Sequence, residues 1–286
     1  MSNMRNIQTI QNTLEAKTRR WWFFVGLIVL QFLIAPFASK NFDFSKWGDI
    51  ISYTFGHALF YACKPAFPVF QVIAIAVFLL LPILRNKVRV LLSLHAGLSY
   101  VLFAVLQNVA IAPKYGLSIV TINIVMFPLV AATWFWEAVV QRNDFSPRRQ
   151  PFWKYLVIPP AIFAFWLPIN WETGGPGFNP VNLVTSGSAL TFCMMTPVYV
   201  AALVFFYPRV NMLTLRVTSV VGVIIGLYNV VPKLMFRIYS TWWDGVLHLP
   251  LLGLSIAGLI LSIKTTKREG HNQSLHPTKK LALFGG

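Results

Sequence analysis

The feature that most constrains this chain is a series of apolar stretches, each near the length of about 20 residues that a bilayer-spanning helix needs. They run over 21–39, 66–84, 90–112, 118–140, 155–170, 187–207, 217–236 and 245–263. The polar segments between them are short and carry most of the charge. Residues 50–65 precede the second stretch and contain Cys63-Lys64-Pro65; they read as an outer extension or a re-entrant piece, with a short helix in 40–65. The fifth stretch is the shortest and holds Pro159, Pro160 and Pro168.

Composition agrees. Charged residues make up 11% of the chain and hydrophobic ones 56%, whereas a soluble domain has roughly 25% charged residues. Too little polar surface is available to coat a water-soluble globule. Two cysteines exclude a disulfide framework, and the apolar fraction excludes a disordered chain. The expected fold is all-α: a polytopic transmembrane helical bundle of about eight spans, embedded in the lipid bilayer of a cell membrane, with a bacterial or archaeal inner membrane as the working assumption.

The net charge of +16 reads as topology, because basic loops stay cytoplasmic. With the N-terminus inside, eighteen of the 24 basic residues fall on the inner side, among them Arg19, Arg20, Arg85, Arg142, Arg209, Arg216 and Lys264. Six fall outside: Lys40, Lys46, Lys64, Lys114, Lys233 and Arg237. Both termini are therefore expected inside. No basic domain lies outside the apolar stretches, so nucleic acid is not an expected partner. The tryptophans, such as Trp21, Trp22, Trp153 and Trp171, mostly mark the limits of the stretches, as interfacial anchors do.

Two segments echo each other. Thr54-x-Gly56-x-Ala58-Leu59-x-Tyr61 opens the second hydrophobic run, and Thr185-x-Gly187-x-Ala189-Leu190-x-Phe192 opens the sixth. Pro68-Val69-Phe70 and Pro197-Val198-Tyr199 follow, and later matches fall in the same order. This predicts two four-span halves, 21–145 and 146–264, related as parallel repeats. Residues 1–20 form a cytoplasmic N-terminal segment, and 265–286 form a basic cytoplasmic tail expected to be disordered. Gly222-x-x-x-Gly226 allows close helix approach, either within the chain or at the seam of a homodimer or membrane-protein partner.

Polar residues in an apolar layer are costly and tend to face a bundle interior or a water-filled cavity. The outer halves of the spans carry more of them than the inner halves, which predicts an outward-facing polar vestibule. Its candidate binding residues are Thr54, His57, Thr185, Asn229, Lys233, Asp244 and His248. Asp244 and His248 are four apart and share a helix face; with His57 they would make an acid–base or metal set, although the spacing gives no established metal motif. Near the inner end, Glu137 is the candidate coupling residue for protons. No catalytic signature is present, and no cofactor or metal is expected. The favoured reading is a small-solute transporter or channel-like protein. The alternatives are a non-catalytic subunit or sensor of a larger complex, and a membrane-embedded enzyme acting on an apolar or lipid substrate through His57, Asp244 and His248.

Overall fold

The computed structural model describes residues 2–235 and 242–275. Arg237, the last residue of the seventh stretch and the final part of the tail, including Lys279 and Lys280, lie outside the described residues. The helices in chain order are α1 (Ser2–Arg19), α2 (Trp21–Leu33), α3 (Trp47–Gly56), α4 (Phe67–Leu84), α5 (Arg89–Asn108) and α6 (Thr121–Val140). They continue with α7 (Ile158–Trp166), α8 (Asn182–Thr185), α9 (Phe192–Phe206), α10 (Met212–Val230), α11 (Trp242–Leu247) and α12 (Leu249–Leu275). The chain is mostly helical, as expected.

Four helical stretches are long and apolar enough to cross a membrane: Leu59–Asn108, Thr121–Val140, Met212–Met235 and Trp242–Lys264. The first is 50 residues long, more than twice a crossing length, and it is interrupted. Arg85, at φ 56°, ends α4, and a short 3-10 turn leads into α5. Asn182–Leu190 and Phe192–Phe206 pass the same test jointly, bent by 90°. Trp21–Leu33 and Phe152–Trp166 are apolar but shorter, so the first and fifth stretches of the sequence reading contain less helix than their apolar length.

Other boundaries also shift. The third and fourth stretches were expected to be helical through 112 and from 118, but both give up their ends to a sheet. β2 (Val109–Ala112) and β3 (Gly116–Ile119) form a hairpin, and β1 (Phe37–Ala38) joins it antiparallel in the order β1-β3-β2. Val109, Ile111 and Ile119 are β-branched, which suits strands, and Gly116 takes the turn at φ +63°. The sixth helix begins at Phe192 rather than Gly187, which sits in the left-handed region at φ +73°. Helix α12 runs on to Leu275, so the tail expected to be disordered from 265 starts as helix.

Side-chain contacts fix which helix ends lie together. At the hairpin end, Gln107 Oε1 accepts from Phe192 N at 2.7 Å and Gln71 Oε1 from Ala189 N at 2.7 Å. Asn123 Nδ2 donates to Asn108 Oδ1 at 2.7 Å, and Ser188 Oγ to the Phe165 carbonyl at 2.5 Å. At the opposite end, where α1 docks, Asn86 meets Asp144, Lys154 meets the Tyr207 carbonyl, Asn211 meets Glu137, and Arg216 meets Ser262. Helices α4, α5, α6, α7, α9, α10 and α12 therefore alternate in direction between the two ends. The core sits between them on Tyr199 of α9, whose hydroxyl donates to Ser99 Oγ and meets His95 Nδ1, both at 2.9 Å. The rings of Phe78, Tyr100 and Trp134 pack around it.

Segments flanking the two sequence echoes have a similar order: a short helix (α3 or α8), a 3-10 turn, then a long helix (α4 or α9). Their packing differs, because α9 lies along α12 while α4 has no comparable contact with α6. The glycines of α10 are occupied within the chain. A Cβ on Gly222 would stand 2.2 Å from Ser255 Oγ, and one on Gly226 would stand 3.1 Å from the backbone of Leu252. Gly253 of α12 faces open space. Gly226→Leu is accordingly expected to cost about 1–3 kcal/mol through overpacking, seen as a lower thermal midpoint in detergent, while Gly253→Ala should leave the midpoint unchanged or slightly higher.

Candidate functional site

Four of the seven vestibule candidates come together at the hairpin end of the second half. The last turn of α10 passes into a π-helical segment, Val231–Met235; π turns interrupt the regular ladder and frequently occur at functional sites. The segment carries Lys233, which points at α11. Lys233 Nζ lies 2.6 Å from Asp244 Oδ2 and donates to Asn229 Oδ1 at 2.9 Å. Asn229 Nδ2 donates back to the Ile225 carbonyl at 2.9 Å and lies 3.9 Å from Cys193 Sγ.

His248 closes the cluster. Its Nδ1 is 2.7 Å from the Asp244 carbonyl and 3.8 Å from Asp244 Oδ1. A carbonyl only accepts, so Nδ1 carries the proton and Nε2 is the ring nitrogen able to take one up. The surroundings are apolar: Leu167, Met194, Trp243 and Leu247 pack together here, with Phe163 and Cys193 against them. Trp243 Nε1 donates to the Pro168 carbonyl at 2.7 Å and pins α11 to the end of α7. Lys233 is 17% exposed and Asp244 30%, so the pair is partly withdrawn from solvent. A low-dielectric surrounding strengthens each attraction here and penalises either charge left alone.

The other three candidates lie elsewhere. Thr54 is buried; its hydroxyl donates to the Ile50 carbonyl and lies 2.9 Å from Ser118 Oγ, tying α3 to β3. His57 is exposed, stacked on Tyr53 at 4.0 Å, with Nδ1 2.9 Å from the Tyr53 carbonyl. Thr185 is exposed and caps its own turn through the Val181 carbonyl. The expected single vestibule therefore resolves into separate places. The set His57, Asp244 and His248 does not assemble, and among the described residues no three metal-ligating groups converge. The reason is topological: His57 belongs to the α3–hairpin corner of the first half, whereas Asp244 and His248 belong to the α10–α11 corner of the second.

A larger buried polar network occupies the α1 end, where the sequence offered Glu137 as the coupling candidate. Glu137 is buried near the end of α6. Its Oε1 accepts from Asn143 N and its Oε2 from Asn211 Nδ2, both at 2.7 Å. Asn211 caps α10 by accepting from Leu213 N, accepts from Gln11 Nε2 at 2.9 Å, and donates its own N–H to Asn143 Oδ1 at 2.8 Å. Glu15 of α1 pairs with Arg142 at 2.9 Å. Arg216, expected in an inner loop, is instead buried within α10 and holds three acceptors: the Glu15 carbonyl, Thr18 Oγ1 and the Ser262 carbonyl. Glu137 is thus a fastener between α6, the following loop and α10. Only the polar partners give this away in the sequence, and they lie 6 and 74 residues distant.

Beside it, Asp144 accepts from Ser146 N and Asn86 Nδ2 and pairs with Arg209 Nη1 at 2.7 Å. Ser146, Asn86 and then the Arg209 guanidinium hold its carboxyl well below the usual carboxylate range.

No family model matches the chain, and no curated protein or solved structure is similar to it. Its reading rests on its own geometry.

Two outcomes follow for the α1 end. Asn211→Ala leaves Glu137 Oε2 without its donor and should cost about 1–3 kcal/mol, measured by thermal or chemical unfolding in detergent. Because the folded-state pKa of Asp144 is depressed, its stabilisation is full above the unfolded carboxylate value of about 3.9 and is lost as pH falls toward the folded value. An acid titration of stability should therefore fall less steeply for Asp144→Asn than for the wild-type chain.

Proposed function

We propose that this chain is an eight-span integral membrane protein of the cell membrane, with both termini on the cytoplasmic side, that binds and passes a small charged solute at the Lys233–Asp244 pair. Two independent observations support the topology: alternation of helix ends by side-chain contact, and the excess of basic residues in segments at the α1 end. The α2, α7 and α9 segments would complete their crossings through the non-helical residues that flank them. Such backbone is tolerated in a membrane only where protein or a water-filled cavity satisfies its polar groups. Gln71 does this at the bend before α9, where Nε2 lies within 3.1 Å of the Leu183 carbonyl, Ser186 Oγ and Ser188 Oγ.

The observation that carries the function is the Lys233–Asp244 ion pair, half-buried in apolar surroundings at a π-helical interruption. Ionisable residues within apolar spanning segments are candidates for substrate or ion pathways, and interrupted helices recur at transporter sites. The bend before α9 lies on the same side of the molecule through Cys193 and Asn229. A solute carboxylate or phosphate would compete with Asp244 for Lys233, and a solute cation would compete with Lys233 for Asp244. When an anion takes Lys233 and frees the Asp244 carboxylate, His248 Nε2, the unprotonated ring nitrogen, can take up the proton that balances it.

The test is a thermal-unfolding screen of the purified protein against organic acids, amino acids, inorganic anions and cations. A saturating ligand at about 100 times its dissociation constant adds about 2.7 kcal/mol. That shift should vanish in Lys233→Ala and in Asp244→Ala while His57→Ala retains it. A shift that survives both replacements would place the site elsewhere. A screen without any solute shift would favour the non-catalytic subunit reading.

A further inference from the structure

An apolar cavity of about 540 Å³ lies between α4, α7 and α9. Phe78 and Pro82 of α4, Ile162 of α7, and Val198, Ala202 and Phe205 of α9 are among its walls. Small side chains leave part of the space unfilled: Ala74, Ala161 and Ala201 all line it. Its volume lies within the range of about 300–1,000 Å³ typical of small-molecule sites. The lining is apolar along its length, so it suits a hydrocarbon chain and offers nothing to a polar solute.

The two ends of the cavity are unlike. Toward the hairpin end it is closed by the Gln71 knot, in which Leu183, itself a lining residue, gives its carbonyl to Gln71 Nε2 at 3.1 Å. Toward the α1 end the lining residues run straight into cations. Arg85 follows Pro82 by three residues, Lys154 precedes Val157 by three, and Arg209 follows Phe206 by three. Arg85 is exposed, as are Arg148 and Arg149 in the loop before Lys154. Lys154 is buried; its ammonium donates to Gln150 Oε1 at 2.7 Å and to the Tyr207 carbonyl. Burial, and then the charge of Arg209, push that ammonium below its usual range, so a nearby anion would relieve it. In segments 85–89, 141–157 and 207–211 the only acid is Asp144, and it is engaged by Arg209.

We propose that this cavity is a binding site for an anionic phospholipid, one acyl chain lying between α4, α7 and α9 and the phosphate resting against the exposed Arg85, with the buried Lys154 adding positive charge behind it. The closed hairpin end and the cationic α1 end set its orientation, with headgroup at the cytoplasmic face and chain pointing inward. The headgroup is anionic rather than zwitterionic because a choline would bring a further cation to a mouth that already holds an excess of them. The inference rests on reading the bundle as membrane-embedded, but not on the solute site, which lies at the other end.

Native mass spectrometry in detergent, with phosphatidylglycerol and phosphatidylcholine of matched chains, tests it. The wild-type chain should retain phosphatidylglycerol at least fivefold better. Arg85→Gln, at an exposed position that leaves the fold intact, should weaken that lipid about fivefold, the effect of one cation near an anionic lipid surface, without changing phosphatidylcholine. Ala202→Trp fills the cavity and should abolish retention while the gel-filtration profile stays unchanged. Lys233→Ala should leave the lipid preference intact, so failure of the solute site and failure of the lipid site are separately visible. Equal retention of both lipids by the wild-type chain overturns the proposal, as does phosphatidylglycerol retention undiminished by both Arg85→Gln and Ala202→Trp.

Discussion

A peptide group without a hydrogen-bond partner in an apolar layer costs several kcal/mol, and this constraint shapes the rest of the molecule. Within a helix the backbone satisfies itself. Wherever a helix stops, something else must take over, and here those places are where the polar side chains gather. Gln141 ends α6 in the left-handed region with its N–H on the Glu137 carbonyl, and the Glu137 carboxylate then takes Asn143 N two residues later. Leu167 ends α7 in the same conformation, and Asn182 Nδ2 reaches the Leu167 and Ile169 carbonyls. Gly187 turns the chain before α9 beneath the Gln71 amide, and Asn108 ends α5 while holding Asn123 and the Phe103 carbonyl. Buried polar residues in this protein are largely fasteners of helix ends.

Against that background the Lys233–Asp244 cluster differs in kind. Asn229 and Lys233 also sit at a helix end, but their partners include the Asp244 carboxylate and the Cys193 thiol, not only carbonyls. Lys233 and Asp244 join side chain to side chain, whereas the bonds of Glu137 and Gln71 hold backbone in place. The same contrast separates the two ends of the bundle. The α1 end is laced by Arg216, Asn211 and Glu137 through α1, α6, α10 and α12. At the α10–α11 corner, among the described residues, the Trp243–Pro168 hydrogen bond, the Lys233–Asn229 and His248–Asp244 contacts, an apolar cluster and the ion pair join the elements. The apolar cavity between α4, α7 and α9 lies clear of the Lys233–Asp244 pair.

Much of the fold was legible in the sequence. Apolar length located α4, α5, α6, α10 and α12 to within a few residues at most ends, because burial in an apolar layer demands continuous hydrophobicity and leaves little else to decide. The small sheet was missed although Val109, Ile111, Pro113 and Gly116 carry a hairpin signature, because apolar strands at the end of an apolar helix look like more of the helix. The start of α10 was missed because Arg216 reads as a loop cation; its burial depends on three acceptors from α1 and α12, which no local pattern announces.

The sequence alone determined that the chain is mostly helical and where its long apolar helices lie, since these follow from continuous hydrophobicity along the chain. It named Asn229, Lys233, Asp244 and His248 among seven vestibule candidates, without separating them from the other three. Tertiary structure alone decided that Thr54, His57 and Thr185 stand apart from them, that Glu137 is a fastener between helices, and that alanines on three helices leave one cavity open beside a cluster of cations. Those outcomes depend on which helix faces which, and that is set by packing between residues far apart in the chain.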